Sequence, residues 1–503
     1  MINSEEIFRQ YTDAETFAKI VDYDNVTRMW QHSVETYPDN MAIVDGEFGQ
    51  VTYAQLDAQV AVLRGQLAKN GVKPGDFVGI YAPNSLFFVR AYLAATTYGA
   101  CAVLLPAHLD EMTVFGCSMK FGFKALFYDR ALEEKMSLVK AKNAALPLID
   151  DSVVDGEAAP AVDVLKTTPC TVIFTGGTTG KSKGALLSQQ AIMRGAKNGC
   201  YGIKEVFEQK LFLVLPLTHV FGLIRNLLTA LYTGSSLYIC RNTKDMFREI
   251  AVFRPTMLVL VPALAEMALN LSKKFGRNML GDAVKTIICG AATVAPYLAR
   301  EYHEMGIALL PGYGLTESAN LVSGNPIPLE DATSVGFIYP GIDYKIVDDE
   351  LWIKGINVLT CYVGEDEENA KAFEDGYFKT GDLVSINERG LLYITGRKKE
   401  IIVLASGENV YPAEIENKFY EMDAVQDCLV YEYEQVLYVE ILPRAEVVKE
   451  KGITDLQAYY EELTKEINKT LAPYERISKV IVRDTDFVRS PAMKILRGKN
   501  GKK

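Results

Sequence analysis

Histidine is scarce in this 503-residue chain, and the four present, His32, His108, His219 and His303, lie too far apart in sequence to form a local two-histidine metal site. The eight cysteines (Cys101, Cys117, Cys170, Cys200, Cys240, Cys289, Cys361 and Cys428) include no pair at zinc or redox spacing, which points to a reducing compartment. A surplus of positive charge is also lacking. With 53 basic and 64 acidic residues the net charge is −11, which disfavours a general nucleic-acid binder while leaving room for a local nucleotide site. No apolar signal core can be placed in residues 1–12, which carry Glu5, Glu6 and Arg9. The most apolar stretch, residues 211–232, is interrupted by His219, Arg225 and Asn226, so it reads as buried core and not as a membrane span. A cytoplasmic location is the expectation.

What is present is an ordinary globular composition, 49% hydrophobic and 23% charged. The length exceeds the roughly 250–300 residues at which single cores stop growing, so two or more domains are expected. Residues 171–175, 211–217, 236–240, 257–261 and 285–289 read as strands separated by helix-length intervals, the pattern of βαβ units and a parallel sheet. Residues 77–81 and 102–105, flanking a helical stretch at 87–97, predict a second, related sheet. Residues 141–168, rich in Ala, Asp and Pro, read as an exposed connection. Short strands at 343–347, 350–354 and 391–395 predict a β-rich subdomain ending at Gly396. A terminal α+β domain of about a hundred residues then opens with a strand at 401–404. The fold class is therefore α/β, with a large N-terminal domain over 1–396 and a small α+β domain over 397–503. No internal repeat is evident.

The segment Thr175-Gly176-Gly177-Thr178-Thr179-Gly180-Lys181-Ser182-Lys183-Gly184 follows a strand and precedes a helix capped by Ser188. Its glycines let backbone N–H groups approach phosphate oxygens, its threonines add hydroxyl donors, and Lys181 and Lys183 add charge. A flexible surface loop is the bland alternative. A Walker A loop is the sharper one, and it fails because Thr175 stands where that loop requires Gly and because Lys183-Gly184 interrupts the run into a helix.

The segment resembles the signature loop of the adenylate-forming superfamily, which comprises acyl-CoA synthetases, peptide-synthetase adenylation domains and luciferases. Gly312-Tyr313-Gly314-Leu315-Thr316-Glu317 is similar to that family's second nucleotide motif, and Thr380-Gly381-Asp382 to its third. Gly396-Arg397-Lys398-Lys399-Glu400 and Ser406-Gly407-Glu408-Asn409-Val410-Tyr411-Pro412 resemble the hinge and the start of the mobile domain. Pro491-Ala492-Met493-Lys494-Ile495-Leu496-Arg497 resembles the final lysine motif. The motifs occur in family order. Singly, each has an ordinary structural explanation: Tyr313 as a half-buried aromatic, Asp382 as a turn residue, Glu317 as a carboxylate at a helix start. Their co-occurrence carries the resemblance.

The resemblance implies an ATP-dependent ligase that makes an acyl-adenylate and then an acyl thioester. Tyr313 would stack on adenine, Gly290-Ala291-Ala292 would line the base, Asp382 would accept from the ribose hydroxyls and Arg397 would assist there. Thr316 would donate to the α-phosphate, Glu317 would hold Mg²⁺, and Lys494 would stabilise charge between carboxylate and phosphate. Lys399 would be the hinge, and Ser406, Gly407 and Glu408 would line a tunnel for the pantetheine thiol. Gly176, Ser182 and Met493 depart from the family's usual Ser, Pro and Gly. The acid would lie beside Leu217-Thr218-His219-Val220-Phe221-Gly222, with His219 near its carboxylate; by itself such a histidine is more often a hydrogen-bonded core residue. No basic residue is plainly placed for an amino acid's side-chain charge, so a fatty or aromatic acid is expected, with long-chain acyl-CoA synthetases the nearest likeness and fatty acid metabolism the setting. CoA is the expected thiol, a pantetheinylated carrier protein the alternative, and a non-catalytic nucleotide-binding protein on the same fold the rival from another class.

Overall fold

The computed structural model describes residues 4–46, 49–175, 182–404, 408–489 and 495–501. Among these, two large sheets dominate. The first is seven-stranded, in the order Cys361–Tyr362, Lys183–Ser188, Pro169–Thr175, Cys101–Leu105, Phe77–Tyr81, Ala125–Tyr128, Leu148–Asp150. It is parallel except at the Lys183–Ser188 and Cys361–Tyr362 edge. The second is nine-stranded, in the order Phe337–Ile338, Ser323–Gly324, Ala308–Tyr313, Thr286–Gly290, Met257–Leu260, Lys210–Leu213, Ser236–Ile239, Met41–Asp45, Gly49–Thr52. Its middle is parallel and its two edges antiparallel.

The helix Leu86–Thr97 joins the two sheets. It is apolar all round apart from Arg90 and a few hydroxyls, so it must be buried on every side, and all 12 of its residues are. It packs on strands of both sheets. Asp45, from the nine-stranded sheet, accepts from Leu86 N at 2.9 Å, and the N-cap Ser85 accepts from Phe88 N at 3.1 Å. Arg90 donates to the carbonyl of Val153 at 2.5 Å.

Three expectations change. The strand predicted over 211–217 ends at Leu213, because Pro216 offers no ladder donor. Asn84 takes over instead, donating to Leu215 O and accepting from Leu217 N, both at 2.8 Å. The connection predicted over 141–168 contains the edge strand Leu148–Asp150 and begins within the helix Ser137–Lys142. Between the glycine segment and the helix Gln189–Asn198 lies an additional strand, Lys183–Ser188, antiparallel to Pro169–Thr175. Lys183 therefore enters a strand, which removes the Walker A reading on structural grounds. The helix cap falls where expected, with Ser188 Oγ accepting from Ala191 N at 3.3 Å.

The β-rich subdomain is an antiparallel sheet of Ile342–Val347, Glu350–Gly355, Tyr377–Ile386, Phe373–Glu374 and Leu392–Arg397. Its last strand runs through Gly396 to Arg397. The C-terminal region carries the strands Val425–Tyr433, Val436–Pro443 and Lys479–Val482, with the helices Pro412–Tyr420 and Leu456–Asn468. Among the described residues its fully buried apolar core runs from Val410 to Ile477. Arg444 of this region, 1% exposed, lies 3.8 Å over the Tyr297 ring and 3.1 Å from the Glu301 carboxylate, both on the helix Pro296–Glu304 of the larger part. Among the described residues no helix is long and apolar enough to cross a membrane.

Candidate active site

The strands Thr286–Gly290 and Ala308–Tyr313 run parallel and end together, with Gly290 opposite Gly312. Carboxyl ends of parallel strands are where open α/β sheets take ligands. The backbone there is crowded: a Cβ on Gly290 would stand 2.7 Å from Gly312 O, and one on Gly314 only 1.5 Å from Asn320 O. After Gly314 the chain makes the short turn Thr316–Ser318 and reverses through Ala319 and Asn320, at φ 49° and 83°; Ala291 sits at φ 69°. Such positions cost about 1–3 kcal/mol each and concentrate at sites where geometry is held for function. Here the holding is done by Asn357, whose Nδ2 donates to Ser318 O at 3.1 Å, and by Leu359, whose N–H meets Glu317 O at 2.7 Å.

Asp382 stands opposite Arg397 in the antiparallel register. Arg397 Nε lies 2.7 Å from Asp382 Oδ1, and Tyr313 Oη donates to Oδ2 at 2.5 Å. The motifs at 312–317, 380–382 and 396–400 thus converge on one carboxylate that is 2% exposed. Its charge raises the Arg397 pKa, keeping the guanidinium ionised. Burial first, and Asp382 second, push the Tyr313 hydroxyl well above the ordinary phenol range, so it stays a donor. The carboxylate is itself positioned. Gly381 turns at φ 71°; Thr380 Oγ1 donates to Leu351 O at 2.6 Å and accepts from Asp382 N at 3.1 Å. Glu350 accepts from Gly381 N and pairs with Lys398, each at 2.9 Å. A cavity of about 270 Å³ opens at this corner, lined by Thr380, Gly381, Arg397, Lys398 and Lys399.

Thr316 and Glu317 follow in the turn, both half-buried. Tyr362 Oη donates to Glu317 Oε1 at 2.7 Å, and burial raises that hydroxyl's pKa. Lys183 lies 5.0 Å over the Tyr362 ring and 2.5 Å from Glu368. Tyr362 therefore links the end of the glycine segment to the Glu317 turn. One carboxylate, with room for phosphate oxygens to supply other ligands, suits Mg²⁺, which is seldom caged by protein alone. Among the described residues no group of three His, Cys, Asp or Glu is placed to hold a metal.

His219 opens the π-helix Phe221–Leu228: its carbonyl accepts from Leu223 N at 2.9 Å and its own N–H meets Pro216 O at 3.2 Å. Gly222 is required there, since a Cβ would approach Pro216 O to 2.2 Å. The Phe221 ring reaches within 3.7 Å of where a Cβ on Gly290 would stand, so the His219 segment borders the turn after Gly290. Glu408 lies between the paired strands Ile402–Val403 and Asn409–Val410, its carbonyl accepting from Leu404 N at 3.0 Å. Lys399 belongs to the turn Lys398–Glu400, whose Glu400 is 3.0 Å from Arg497 of the lysine motif. Gly176, Gly177, Thr178, Thr179, Gly180, Lys181, Ser406, Gly407 and Lys494 lie outside the described residues.

Sequence reasoning missed Asn357, Tyr362 and Glu350. Each acts on a motif at least thirty residues away in the chain, and none carries a local signal.

Residues 30–363 match the family model described as AMP-binding enzyme, and residues 399–503 that of the AMP-binding enzyme C-terminal domain. The medium-chain fatty-acid–CoA ligase of Escherichia coli (strain K12) is 28% identical over 460 residues, covering 82% of this chain and 78% of that protein. The feruloyl-CoA synthase of an Amycolatopsis species is 27% identical over 396 residues, 76% of this chain and 80% of that one. The structure of O-succinylbenzoate coenzyme A synthetase from Bacillus subtilis in complex with ATP and magnesium superposes with a TM-score of 0.76 at 25% identity, covering 94% of this chain and 98% of that one.

Proposed function

The chain belongs to the AMP-binding enzyme family, and from that premise we propose that it is an AMP-forming acid–thiol ligase that joins a fatty or aromatic carboxylic acid to CoA through an acyl-adenylate. The observation that carries the reading is the convergence of Tyr313 and Arg397 on the buried Asp382 at the carboxyl ends of two parallel strands. The names of the Escherichia coli and Amycolatopsis relatives support CoA as the thiol and cover both a fatty and an aromatic acid.

In the first half-reaction a carboxylate oxygen attacks the α-phosphorus of ATP, and the bond to the bridging oxygen breaks as pyrophosphate leaves. Both reactants are anions, so the protein must hold them in line and offset their repulsion. Asp382 accepts from the ribose hydroxyls, the Gly290-Ala291-Ala292 and Gly312-Tyr313-Gly314 backbone flanks the base, and Arg397 fixes the carboxylate's direction. Thr316 donates to the α-phosphate, and the glycine segment with Lys181 takes the departing phosphates. Glu317 is the residue that would hold Mg²⁺, which supplies neutralisation of phosphate charge when bound. Lys494 places an ammonium between the reacting groups, and His219 orients the acid's carboxylate.

In the second half-reaction the CoA sulfur attacks the acyl carbonyl, the carbon–oxygen bond to AMP breaks, and the thiol proton passes to solvent. Rotation at Lys399 exchanges Lys494 for the loop containing Ser406, Gly407 and Glu408. Pyrophosphate release measured over fatty, aromatic and amino acids, with CoA and with a pantetheinylated carrier protein as acceptors, tests the proposal. Release coupled to CoA thioester formation with fatty or aromatic acids is the expected result. Thioester formed only on the carrier protein, or ATP bound without turnover, would sink it.

A further inference from the structure

Glu266, on the helix Pro262–Phe275, is 9% exposed and accepts a hydrogen bond from the Tyr297 hydroxyl. The cations around this corner are engaged elsewhere. Arg444 lies 3.1 Å and Lys273 2.6 Å from Glu301, while Arg489 lies 2.8 Å from Asp427 and 2.7 Å from Asp486. Glu266 forms no ion pair with any described residue. A buried carboxyl without a counter-charge of its own takes up a proton in place of ionising.

The surroundings of Glu266 are shared between the two parts of the chain. Tyr297 belongs to the helix Pro296–Glu304, and its ring is covered at 3.8 Å by Arg444 of the C-terminal region. The charged groups that act on Glu266 and Tyr297 from beyond these two helices are Asp427, Arg444 and Arg489, all three from the C-terminal region. Asp427 is 8% exposed and accepts from the Tyr420 hydroxyl and from Cys428 N. Two buried carboxyls, one from each part, therefore repel each other across the boundary when both are ionised. The rim pair of Arg300 and Asp423, 3.3 Å apart with both side chains more than half exposed, adds little.

We propose that Glu266 is a proton-operated latch between the two parts: the arrangement seen here is held with the Glu266 carboxyl protonated, and a swing of the C-terminal region about Lys399 releases that proton to water. The swing belongs to the ligase reading, on which the latch rests. Separation strips Arg444 from the Tyr297 ring and lets water reach Glu266, whose ordinary pKa is 4.5; in the closed arrangement burial raises it to about 7. The closed arrangement binds the extra proton, so its advantage is complete below pH 4.5 and is lost as pH rises through about 7. The other groups leave that sign intact. Burial raises Asp427 as well, and the Tyr297 hydroxyl stands well above the ordinary phenol range. Glu301, which burial raises but Lys273 and Arg444 lower further, titrates beneath this window. Between pH 6 and pH 8 the ratio of closed to open molecules should fall about tenfold.

Energy transfer between dyes at Lys274→Cys and Lys449→Cys, exposed positions on either side of the boundary, reports that ratio in the full chain. Wild type and Glu266→Gln are compared from pH 6 to pH 8, each also with Arg444→Met, which weakens the clasp and brings both forms into the measurable range. The ratio should fall about tenfold where Glu266 is present, at the least in the Arg444→Met background, and stay level with Glu266→Gln. Replacing His303, exposed on the same helix as Tyr297, by Asn should change nothing. A level ratio in both proteins that keep Glu266, an equal fall in the Glu266→Gln proteins, or a fall removed by His303→Asn would overturn the latch. The dyes need no turnover. The latch can therefore fail while pyrophosphate release with fatty or aromatic acids stands, and it can hold in a protein that activates no acid.

Discussion

Asp382→Asn isolates the carboxylate on which three motifs meet. The change keeps the side chain's shape and removes its charge, weakening the bonds to Tyr313 at 2.5 Å and Arg397 at 2.7 Å. Hydrogen bonds to charged groups contribute about 1.5–3 kcal/mol each. Arg397 is 39% exposed, so water screens its share to about 1 kcal/mol, whereas the half-buried Tyr313 retains more of its own. In the nucleotide complex the same charge would also be lost to the ribose hydroxyls. A net loss of about 2–3 kcal/mol corresponds to a KM for ATP raised about 30- to 150-fold. Acid-dependent ATP–pyrophosphate exchange with ATP varied at saturating acid measures it, with thermal melting of the nucleotide-free protein as the control. Because Tyr313 is held protonated, the wild-type KM should show no Tyr313 titration up to pH 9. An unchanged KM together with a lowered melting temperature would mean that Asp382 only braces the strands Tyr377–Ile386 and Leu392–Arg397, and the argument for nucleotide recognition there would be wrong.

Lys494→Ala should abolish acid-dependent ATP–pyrophosphate exchange and still convert preformed acyl-adenylate to thioester; normal exchange would remove that lysine from the chemistry. Glu266 accepts from the Tyr297 hydroxyl among Asp427, Arg444 and Arg489, and burial raises its pKa from 4.5 to about 7. A raised carboxyl pKa gives stability that is complete below 4.5 and is lost as pH rises through about 7, so Glu266→Gln should flatten the fall in melting temperature between pH 5 and pH 8. An equally steep fall in the variant would contradict it. Arg444→Met removes the cation–π contact with Tyr297 and the ion pair with Glu301 that join the two regions, while Glu301 keeps Lys273. It should enlarge the radius of gyration in small-angle scattering, and an unchanged profile would show that other contacts hold the regions together.

The legible part of the site was the part written in contiguous backbone. Gly290 and Gly314 sit where a Cβ would collide with a neighbouring carbonyl, so a local motif suffices to mark them. The two large sheets were legible because βαβ spacing repeats in both. What escaped depends on partners distant in sequence. The bond from Tyr362 to Glu317 spans 45 residues, and the one from Lys398 to Glu350 spans 48. Apolar continuity over 211–217 suggested a longer strand; Pro216 ends it, and the Asn84 side chain, distant in sequence, takes up the freed backbone groups. The strand Lys183–Ser188 was hidden because its pairing partner precedes the glycine segment.

Arg397 is the final residue of its strand, and its pairing with Asp382 is made before the chain reaches Lys399. Any swing of the C-terminal region about Lys399 therefore leaves the Tyr313, Asp382 and Arg397 grip where it was. An acyl-adenylate is a mixed anhydride that water destroys. In the proposed two-step reaction the C-terminal region would change position while this grip stays put, so the survival of the intermediate between the steps would depend on the stationary side alone.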